Sequence, residues 1–396
     1  KDQLGALLAR EEGKTLPEAV AEVARSGQIF KFFAGEALRI CGETMASVRQ
    51  GVQVDVTREP VGVVAVIAPW NFPFAIPAWK IAPALAYGNT VVFKPAELVP
   101  TCGWALADII SRSGLPAGAF NMVMGSGREV GQTLVDHPLV NAISFTGSVS
   151  TGERILSTAT ARRAKVQLEM GGKNPLIVLA DADLDQAVDC ALQGSYYSTG
   201  QRCTATSRLI VQTQVHDQFV NKLRGRMQAL KVGHALDRGI DMGPVVNSTQ
   251  LDQNLEYTEI ARAEGATHIW GGERLERPTP GHYMSPALFL AQPEHRIARE
   301  EIFGPVACVL RADDYDHALA LANDTPYGLC AGICTTSLKL AMHFKRHAVV
   351  GMTMVNLPTA GVDYHAPFGG RKESSHGSRE QGRYAAEFYT TVKTGY

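Results

Sequence analysis

Short apolar strands alternate with helices through this chain, and this alternation restricts the possible folds more than any other feature. Residues Val61–Ala68 form an uninterrupted run without polar side chains. Further strands are predicted at 90–93, 120–124 and 142–145, with helices near 76–87, 101–112 and from 147 onward. A strand that is apolar on both faces is typical of a parallel sheet covered by helices on both sides. The pattern therefore predicts an α/β fold with a mostly parallel sheet.

A second α/β series follows, and the chain length agrees with two domains. Its predicted strands lie at 176–179, 208–211, 305–310 and 352–356. A chain of 396 residues exceeds the size at which one hydrophobic core usually stops growing. Two α/β domains leave a cleft between them. Residues 1–40 read as two helices, and 52–57 alternate as a half-exposed strand, which we expect to pair with another chain.

Composition excludes several classes of protein. The chain is 45% hydrophobic and 19% charged with a net charge of −1, so neither disorder nor binding of nucleic acid or a membrane surface is expected. The longest apolar run, about ten residues, is too short to cross a bilayer. Seven cysteines without a Cys-x-x-Cys pair indicate reduced thiols, no zinc site and a cytoplasmic location. The chain begins within a predicted helix, so we expect an N-terminal truncation.

Cys203 is the candidate nucleophile. It lies in the polar stretch Ser198–Thr204, whereas structural cysteines usually occupy apolar runs. The adjacent Arg202 is expected to favour the thiolate. An alternative is a cysteine hydrolase that pairs Cys203 with His365 or His343.

Two glycine-containing turns are candidate phosphate sites. Residues 124–131 and 147–152 each follow a strand and open a helix, whose N-terminus can bind phosphate. Neither matches a full dinucleotide or P-loop motif, so ordinary strand-to-helix turns remain the alternative. Lys94 and Glu97 follow a strand and could bind a ribose, with a solvated loop pair as the alternative. Glu97 would repel a 2′-phosphate, which favours NAD over NADP.

Three more polar residues have candidate roles in chemistry. Glu169 ends an apolar strand beside two glycines, and burial would raise its pKa toward that of a general base; the alternative is a buried ion pair with Lys173. Asn71 could donate to a developing oxyanion, or serve only as a turn residue. Glu301 could contact a ribose, or lie in solvent.

Seven stretches together resemble the aldehyde dehydrogenase superfamily, in family order and over nearly the whole chain. They are Pro69-Trp70-Asn71-Phe72-Pro73, Lys94-Pro95-Ala96-Glu97, Phe145-Thr146-Gly147-Ser148, Leu168-Glu169-Met170-Gly171-Gly172-Lys173, Gly200-Gln201-Arg202-Cys203, Glu301-Ile302-Phe303-Gly304-Pro305 and Pro367-Phe368-Gly369-Gly370. The family's first stretch looks absent.

The resemblance implies a role for each matching residue. Cys203 would attack the aldehyde carbon, Asn71 and the Cys203 backbone N–H would hold the oxyanion, and Glu169 would activate the water that hydrolyses the thioester. The implied NAD or NADP site comprises Ile67, Trp70, Lys94, Glu97, Gly127, Gly147, Ser148, Glu301 and Phe303. The implied substrate tunnel comprises Phe72, Trp79, Tyr197, Arg202, Thr204 and Phe368.

The resemblance also implies a substrate class. The segments 71–89, 198–208 and 368–375 are similar to bacterial 2,5-dioxovalerate (α-ketoglutarate semialdehyde) dehydrogenases, which form 2-oxoglutarate. Arg202 suits the carboxylate of such a small acidic semialdehyde. Succinate-semialdehyde or broad aliphatic aldehyde dehydrogenases are the alternatives, and an inactive structural or truncated product on this fold is another.

The implied architecture is two parallel-sheet α/β domains with a small β extension for oligomerisation. We place the nucleotide-binding domain at 1–40 and 61–171, the catalytic domain at 172–370, and the oligomerisation segments at 41–60 and 383–396. Within the last segment a strand is predicted near 386–394. A homodimer or homotetramer is expected.

Overall fold

The computed structural model describes residues 1–396, which contain two parallel sheets. The first sheet has six strands, all parallel except one short antiparallel edge strand. From edge to edge these are Ser375–His376, Lys165–Glu169, Ala142–Thr146, Val63–Ile67, Thr90–Lys94 and Phe120–Met122. Val64 and Ala65, whose side chains lie on opposite faces of the central strand, are both fully buried. The apolar pattern from which this sheet was predicted therefore reflects burial on both faces.

Helices surround the first sheet and the chain that leads into it. Two long helices come first, and the second begins with a capping box in which Thr15 and Glu18 bond to each other's backbone. Short apolar helices follow each strand as crossovers. The helices of this half are Asp2–Glu12, Leu16–Glu36, Ala75–Ala86, Pro100–Ser111, Gln132–Asp136 and Val149–Ala161, with a π-helical turn at Gly127–Gly131.

The second sheet has seven strands, parallel except for one edge strand that runs antiparallel to its neighbour. In spatial order these are Thr267–Trp270, Ala287–Leu290, Val306–Ala312, Thr206–Gln212, Asn174–Val178, Cys330–Cys334 and Met352–Val355. All four strands predicted for this series are present. Its helices are Leu184–Tyr196, His216–Gln228, Ser248–Ala263, Arg296–Arg299, Tyr315–Asn323 and Leu338–His347, with a 3₁₀ turn at Tyr197–Gly200. Two-stranded sheets pair Arg274–Leu275 with Tyr283–Met284 and Tyr327–Gly328 with Arg371–Lys372.

A separate three-stranded antiparallel sheet forms the β extension. Its order is Glu43–Ala46, Gln53–Pro60, Thr390–Gly395. The half-exposed strand that we expected to pair with another chain is therefore the middle strand, and its pairing groups are already used. The free edges belong to its two neighbours. The C-terminal strand also begins later than the predicted 386, because 383–389 form helical turns at Arg383–Ala385 and Ala386–Tyr389.

Two further observations concern the whole chain. None of its helices combines the length and the apolar character that crossing a membrane requires. All seven cysteines are free thiols, and only Cys41 is exposed. The division into domains near residue 171 stays a prediction.

Candidate active site

A cleft of about 270 Å³ is lined by residues next to strands of both parallel sheets and by two residues of helix Ser248–Ala263. Seven of the residues singled out from the sequence line it: Trp70, Asn71, Gly147, Ser148, Cys203, Glu301 and Phe303. Seven others were not predicted: Pro69, Ile76, Thr146, Met170, Gly171, Gln250 and Gln253. The structure thus brings the candidate nucleophile, the candidate oxyanion donor and most of the expected cofactor residues together.

The loop before Cys203 has an unusual backbone. Ser198 and Thr199 have φ angles of 52° and 55°, and Gly200 follows with 66°. Non-glycine residues in this left-handed region are uncommon and cost about 1–3 kcal/mol each. A side chain at Gly200 would lie 2.3 Å from the carbonyl oxygen of Gly304, so only glycine fits. The strained loop turns the half-buried Cys203 into the cleft.

The surroundings of Cys203 disfavour its thiolate. Burial, together with the nearby carboxylates of Glu301 and Glu169, raises the pKa of Cys203 to about 12. Arg202 lies near enough for a favourable charge interaction with the thiolate, and its guanidinium also donates to the backbone carbonyls of Gln193 and Gly194. The role of Arg202 in favouring the thiolate stays a prediction.

Asn71 is buried beside the Cys203 loop. Its Nδ2 donates to the carbonyl oxygen of Gln201 at 3.0 Å, across the boundary between the two sheets. The side-chain amide is therefore held toward the nucleophile's own loop. This arrangement goes beyond the turn role that we kept as the alternative.

Glu169 is almost fully buried at the end of its strand. Burial, together with the neighbouring Glu380, raises the pKa of its carboxyl well above the ordinary value. Its Oε2 accepts a hydrogen bond from Ser375 Oγ at 2.6 Å. The alternative of an ion pair with Lys173 is wrong, because Lys173 Nζ has no hydrogen-bond partner and burial lowers the Lys173 pKa to about 8. Sequence reasoning missed Ser375. The only signal for this residue was its position in the segment 368–375, which is similar to the semialdehyde dehydrogenases.

Glu301 lies in the cleft against two glycines, not in solvent. Its Oε1 accepts from the Gly172 N–H at 2.9 Å, and burial raises its pKa to about 7. A Cβ on Gly171 would lie 2.1 Å from Glu301 Oε2, and one on Gly172 would lie 2.8 Å from the Cys203 carbonyl oxygen. The absence of side chains at both glycines thus allows Glu301 and the Cys203 carbonyl to approach this closely. Phe303 packs edge-on against Trp70 with ring centroids 5.5 Å apart.

A second cleft lies next to the first sheet and contains Ile67 and Gly127. The Lys94 side chain borders it, since Lys94 Cδ would lie 3.8 Å from a Cβ on Gly131. Glu97 is exposed and lines neither cleft. Ser148 is the N-cap residue of helix Val149–Ala161 and makes no side-chain capping bond, and a helix N-terminus of this kind can bind phosphate.

The first cleft has free groups that fit a dinucleotide. Thr146 Oγ1 is buried without a hydrogen-bond partner and belongs to the lining, so a bound ligand can supply one. The Glu301 carboxylate offers acceptors for ribose hydroxyls. The sequence gave no reason to choose Thr146 beyond its place in a similarity stretch. No group of His, Cys, Asp and Glu side chains is arranged to hold a metal ion.

The six expected substrate residues line neither cleft. Trp79 stacks on Phe368 with ring centroids 5.1 Å apart, and the Phe72 ring lies 3.7 Å from Lys14 Nζ. Thr204 is buried, and Tyr197 is half-buried with its pKa raised by desolvation. Their place in a substrate tunnel stays a prediction.

The two histidines proposed for a hydrolase are not part of the cleft. His343 Nδ1 bonds to the Tyr315 hydroxyl at 2.7 Å on the outer helix Leu338–His347. His365 packs against the Tyr364 ring. Neither residue lines the cleft that contains Cys203. The geometry therefore gives the cysteine hydrolase no catalytic base.

Comparisons with known proteins agree with this site. The Aldehyde dehydrogenase family profile matches residues 1–395. The alpha-ketoglutaric semialdehyde dehydrogenase of Bacillus subtilis (strain 168) is 47% identical over 397 residues, which are 99% of this chain and 81% of the relative. The 2,5-dioxopentanoate dehydrogenase of Saccharolobus solfataricus is 43% identical over 394 residues, 98% of this chain and 82% of the relative.

Solved structures show the same fold. A betaine aldehyde dehydrogenase from Staphylococcus aureus in complex with NAD⁺ superposes with a TM-score of 0.97 at 36% identity, covering 100% of this chain and 78% of that one. An NADP-dependent enzyme of E. coli has a TM-score of 0.96 at 37% identity, covering 100% and 81%. The chain therefore belongs to the aldehyde dehydrogenase family and is an NAD(P)-dependent aldehyde dehydrogenase.

Proposed function

We propose that this enzyme oxidises α-ketoglutarate semialdehyde to 2-oxoglutarate. The observation that carries the proposal is a nucleophilic sulfur, Cys203, that opens into a cleft shared with Asn71 and Glu301. The names of relatives 43–47% identical to the chain support this substrate. The small acidic semialdehyde was also the substrate inferred from the sequence.

In the proposed reaction the Cys203 thiol first loses its proton to solvent water, and the thiolate sulfur then forms a bond to the aldehyde carbon while the carbonyl π electrons move to the oxygen. The resulting oxyanion accepts hydrogen bonds from Asn71 Nδ2 and the Cys203 backbone N–H. A single preorganised donor of this kind contributes about 10²–10³ in rate. To reach the oxyanion, Nδ2 exchanges its present partner, the Gln201 carbonyl oxygen.

NAD or NADP held in this cleft would accept the hydride whose loss converts the adduct into a thioester. Water then attacks the thioester carbon, the carbon–sulfur bond breaks, and Glu169 takes a proton from the water. A carboxyl whose pKa is raised by burial is a stronger base than an exposed one. The product is a carboxylate, and the thiol is regenerated.

We assign the cofactor residues by their positions in the two clefts. Trp70, Gly147, Ser148, Glu301 and Phe303 would hold the nicotinamide half and the phosphates. Ile67, Lys94 and Gly127 would hold the adenosine half, with the exposed Glu97 as a partner of the ribose. The Thr146 hydroxyl joins the first group because it has no protein partner.

Arg202 is the residue whose role most needs a direct test. Its Nη2 already donates to two backbone carbonyls, so it supports the loop whether or not it also binds substrate. Arg202→Leu should raise KM for acidic semialdehydes more than KM for propanal if it binds a carboxylate. Equal changes would leave it a structural residue only.

The deciding experiment is a panel of aldehydes, each assayed with NAD and with NADP by NADH or NADPH absorbance. We expect the highest kcat/KM with α-ketoglutarate semialdehyde, then succinate semialdehyde, then neutral aldehydes. Cys203→Ala is the control and should lose turnover while still binding cofactor. A neutral aldehyde preferred over both acidic ones would overturn the substrate assignment.

We also propose a homodimer or homotetramer that pairs a free edge of the β extension between subunits. Strand Glu43–Ala46 and most of strand Thr390–Gly395 are exposed and unpaired on one side. Light scattering coupled to size-exclusion chromatography tests this. The seven free thiols support a reducing compartment such as the cytoplasm.

A further inference from the structure

The start of helix Leu16–Glu36 contacts the strained loop that precedes Cys203. The Glu18 Oε1 accepts hydrogen bonds from the Ser198 backbone N–H at 2.8 Å and from the Ser198 hydroxyl at 3.0 Å. Its Oε2 accepts from the N–H and hydroxyl of Thr15 at 3.1 and 2.8 Å. Ser198 begins the left-handed stretch of that loop, with φ 52°. Such a backbone persists only where its surroundings fix it, and Glu18 supplies two of the bonds that do so.

One turn further along the same helix face, a buried ion pair contacts the turn that carries Asn71. Lys14 Nζ donates to Glu22 Oε2 at 2.7 Å and to the Asn71 backbone carbonyl oxygen at 2.6 Å, and it lies over the Phe72 ring. Glu22 Oε1 accepts from the backbone N–H groups of residues 74 and 75 at 2.9 and 3.1 Å. The side chains of Lys14 and Glu22 are at most 2% exposed. The turn is therefore fixed at the Asn71 carbonyl and at the start of the helix that follows it.

The two contacts lie four residues apart on one helix, and they reach the two loops that supply the oxyanion donors. We propose that the Glu18 and Glu22 carboxylates, together with Lys14, set the distance between those donors. The donors are the Asn71 amide and the Cys203 backbone N–H, so this inference rests on the proposed function. Glu18, Glu22 and Lys14 are positioning residues, because none of them lines the cleft.

The distance between the donors needs such support because the two loops adjoin strands of different sheets. Asn71 follows strand Val63–Ile67 of the first sheet, whereas Cys203 precedes strand Thr206–Gln212 of the second. A misplacement of about 1 Å in a reacting group can cost about 10²-fold in rate. Glu18 bonds to the loop that precedes Cys203, and Glu22 bonds to the turn that carries Asn71. Because both residues lie on one rigid helix, the helix fixes the distance between the loop and the turn.

The test compares two reactions of Cys203 that need no cofactor, with the exposed Cys41 replaced by serine in every variant so that only the cleft thiol is followed. In acylation by p-nitrophenyl acetate, the sulfur bonds to the carbonyl carbon, negative charge develops on the oxygen, and p-nitrophenolate leaves. In alkylation by iodoacetamide, the sulfur bonds to carbon and iodide leaves, with no oxyanion. Access to the thiol and its ionisation affect both rates equally. The ratio of the acylation rate to the alkylation rate therefore depends on how well the oxyanion donors are placed.

Glu18→Ala should lower this ratio about tenfold or more, and Glu18→Gln should restore it because the amide oxygen can accept the same two bonds. The matched control is Glu11→Ala. Glu11 likewise accepts from two backbone N–H groups, those of Thr101 and Cys102 at 2.7 and 2.8 Å, away from the cleft. It should leave the ratio unchanged. A ratio unchanged in Glu18→Ala, lowered equally in Glu11→Ala, or not restored by Glu18→Gln would overturn the inference.

Two further variants separate this inference from the proposed function and test its second half. Asn71→Ala must lower the ratio; if it does not, the oxyanion assignment itself fails. If it does while Glu18→Ala does not, only the positioning role fails. Lys14→Met combined with Glu22→Gln removes both buried charges together and should lower the ratio as well. A folded double variant with an unchanged ratio would limit the positioning role to Glu18 and overturn the role proposed for Lys14 and Glu22.

Discussion

Replacing Gly171 with alanine should displace the Glu301 carboxylate and weaken cofactor use without unfolding the protein. The new Cβ would lie 2.1 Å from Glu301 Oε2 and 2.7 Å from its Cδ. Since real Cβ contacts are almost never below 3.0 Å, the carboxylate must move by about 1 Å or more. The end of a flexible side chain can move at small cost, but the bond from the Gly172 N–H at 2.9 Å would break. Misplacement by about 1 Å predicts a tenfold to hundredfold rise in KM for NAD.

Steady-state kinetics at varied NAD and saturating aldehyde measure this effect, and isothermal calorimetry measures NAD affinity directly. Gly225→Ala is the control, because its Cβ would meet nothing within 4 Å in helix His216–Gln228. It should leave KM unchanged. Glu301→Ala should reproduce the KM of the Gly171 variant. An unchanged KM for NAD in Gly171→Ala would refute the reasoning that Glu301 holds the cofactor through this glycine contact.

Three other changes have outcomes fixed by the same contacts. Glu169→Gln should give a burst of one NADH per site and then lose about 10²–10⁴ in steady-state rate, measured by stopped flow, because hydrolysis lacks its base; an unchanged steady rate would contradict the assignment. Glu301→Gln removes a charge that raises the Cys203 pKa. The pH profile of iodoacetamide alkylation should therefore shift to lower pH, with a rate about threefold to tenfold higher near pH 9. A shift of the profile to higher pH would contradict this. Lys80→Met leaves the fully buried Glu380 without its ion-pair partner, so urea unfolding should show a loss of about 3–5 kcal/mol, and a loss below 1 kcal/mol would contradict this.

The parallel sheets were predictable because a strand that is buried on both faces has apolar residues at consecutive positions. Val61–Ala68 reads as a buried strand, and the structure has Val63–Ile67 in the centre of the first sheet. The β extension was harder to predict, because its exposed strands carry no such constraint. Strand Glu43–Ala46 is exposed at every residue and was missed. The pairing of such a strand depends on segments far away in the sequence, and a local sequence pattern does not indicate which segments these are.

The site was predictable where a residue type is chemically unusual for its surroundings, as with Cys203 among polar neighbours. It was not predictable where the role of a residue depends on a contact with a segment far away in the sequence. Glu18 looks like an ordinary member of a helix-capping box, and it does form one with Thr15. Its second role, bonding to Ser198 far along the chain, depends on how the helix packs against the second sheet. Nothing in the local pattern distinguishes a carboxylate with one role from a carboxylate with two.

The charges around Cys203 also determine how readily its thiol ionises. Burial and the Glu301 and Glu169 carboxylates raise the pKa of the sulfur. The Arg202 guanidinium opposes them through a favourable charge interaction with the thiolate, even though it also donates to the carbonyls of Gln193 and Gly194. Replacing Glu169 with glutamine should therefore make the sulfur more reactive, because the lost charge favours the thiolate. Iodoacetamide alkylation at pH 9 measures this effect, and slower alkylation in Glu169→Gln would contradict the reasoning.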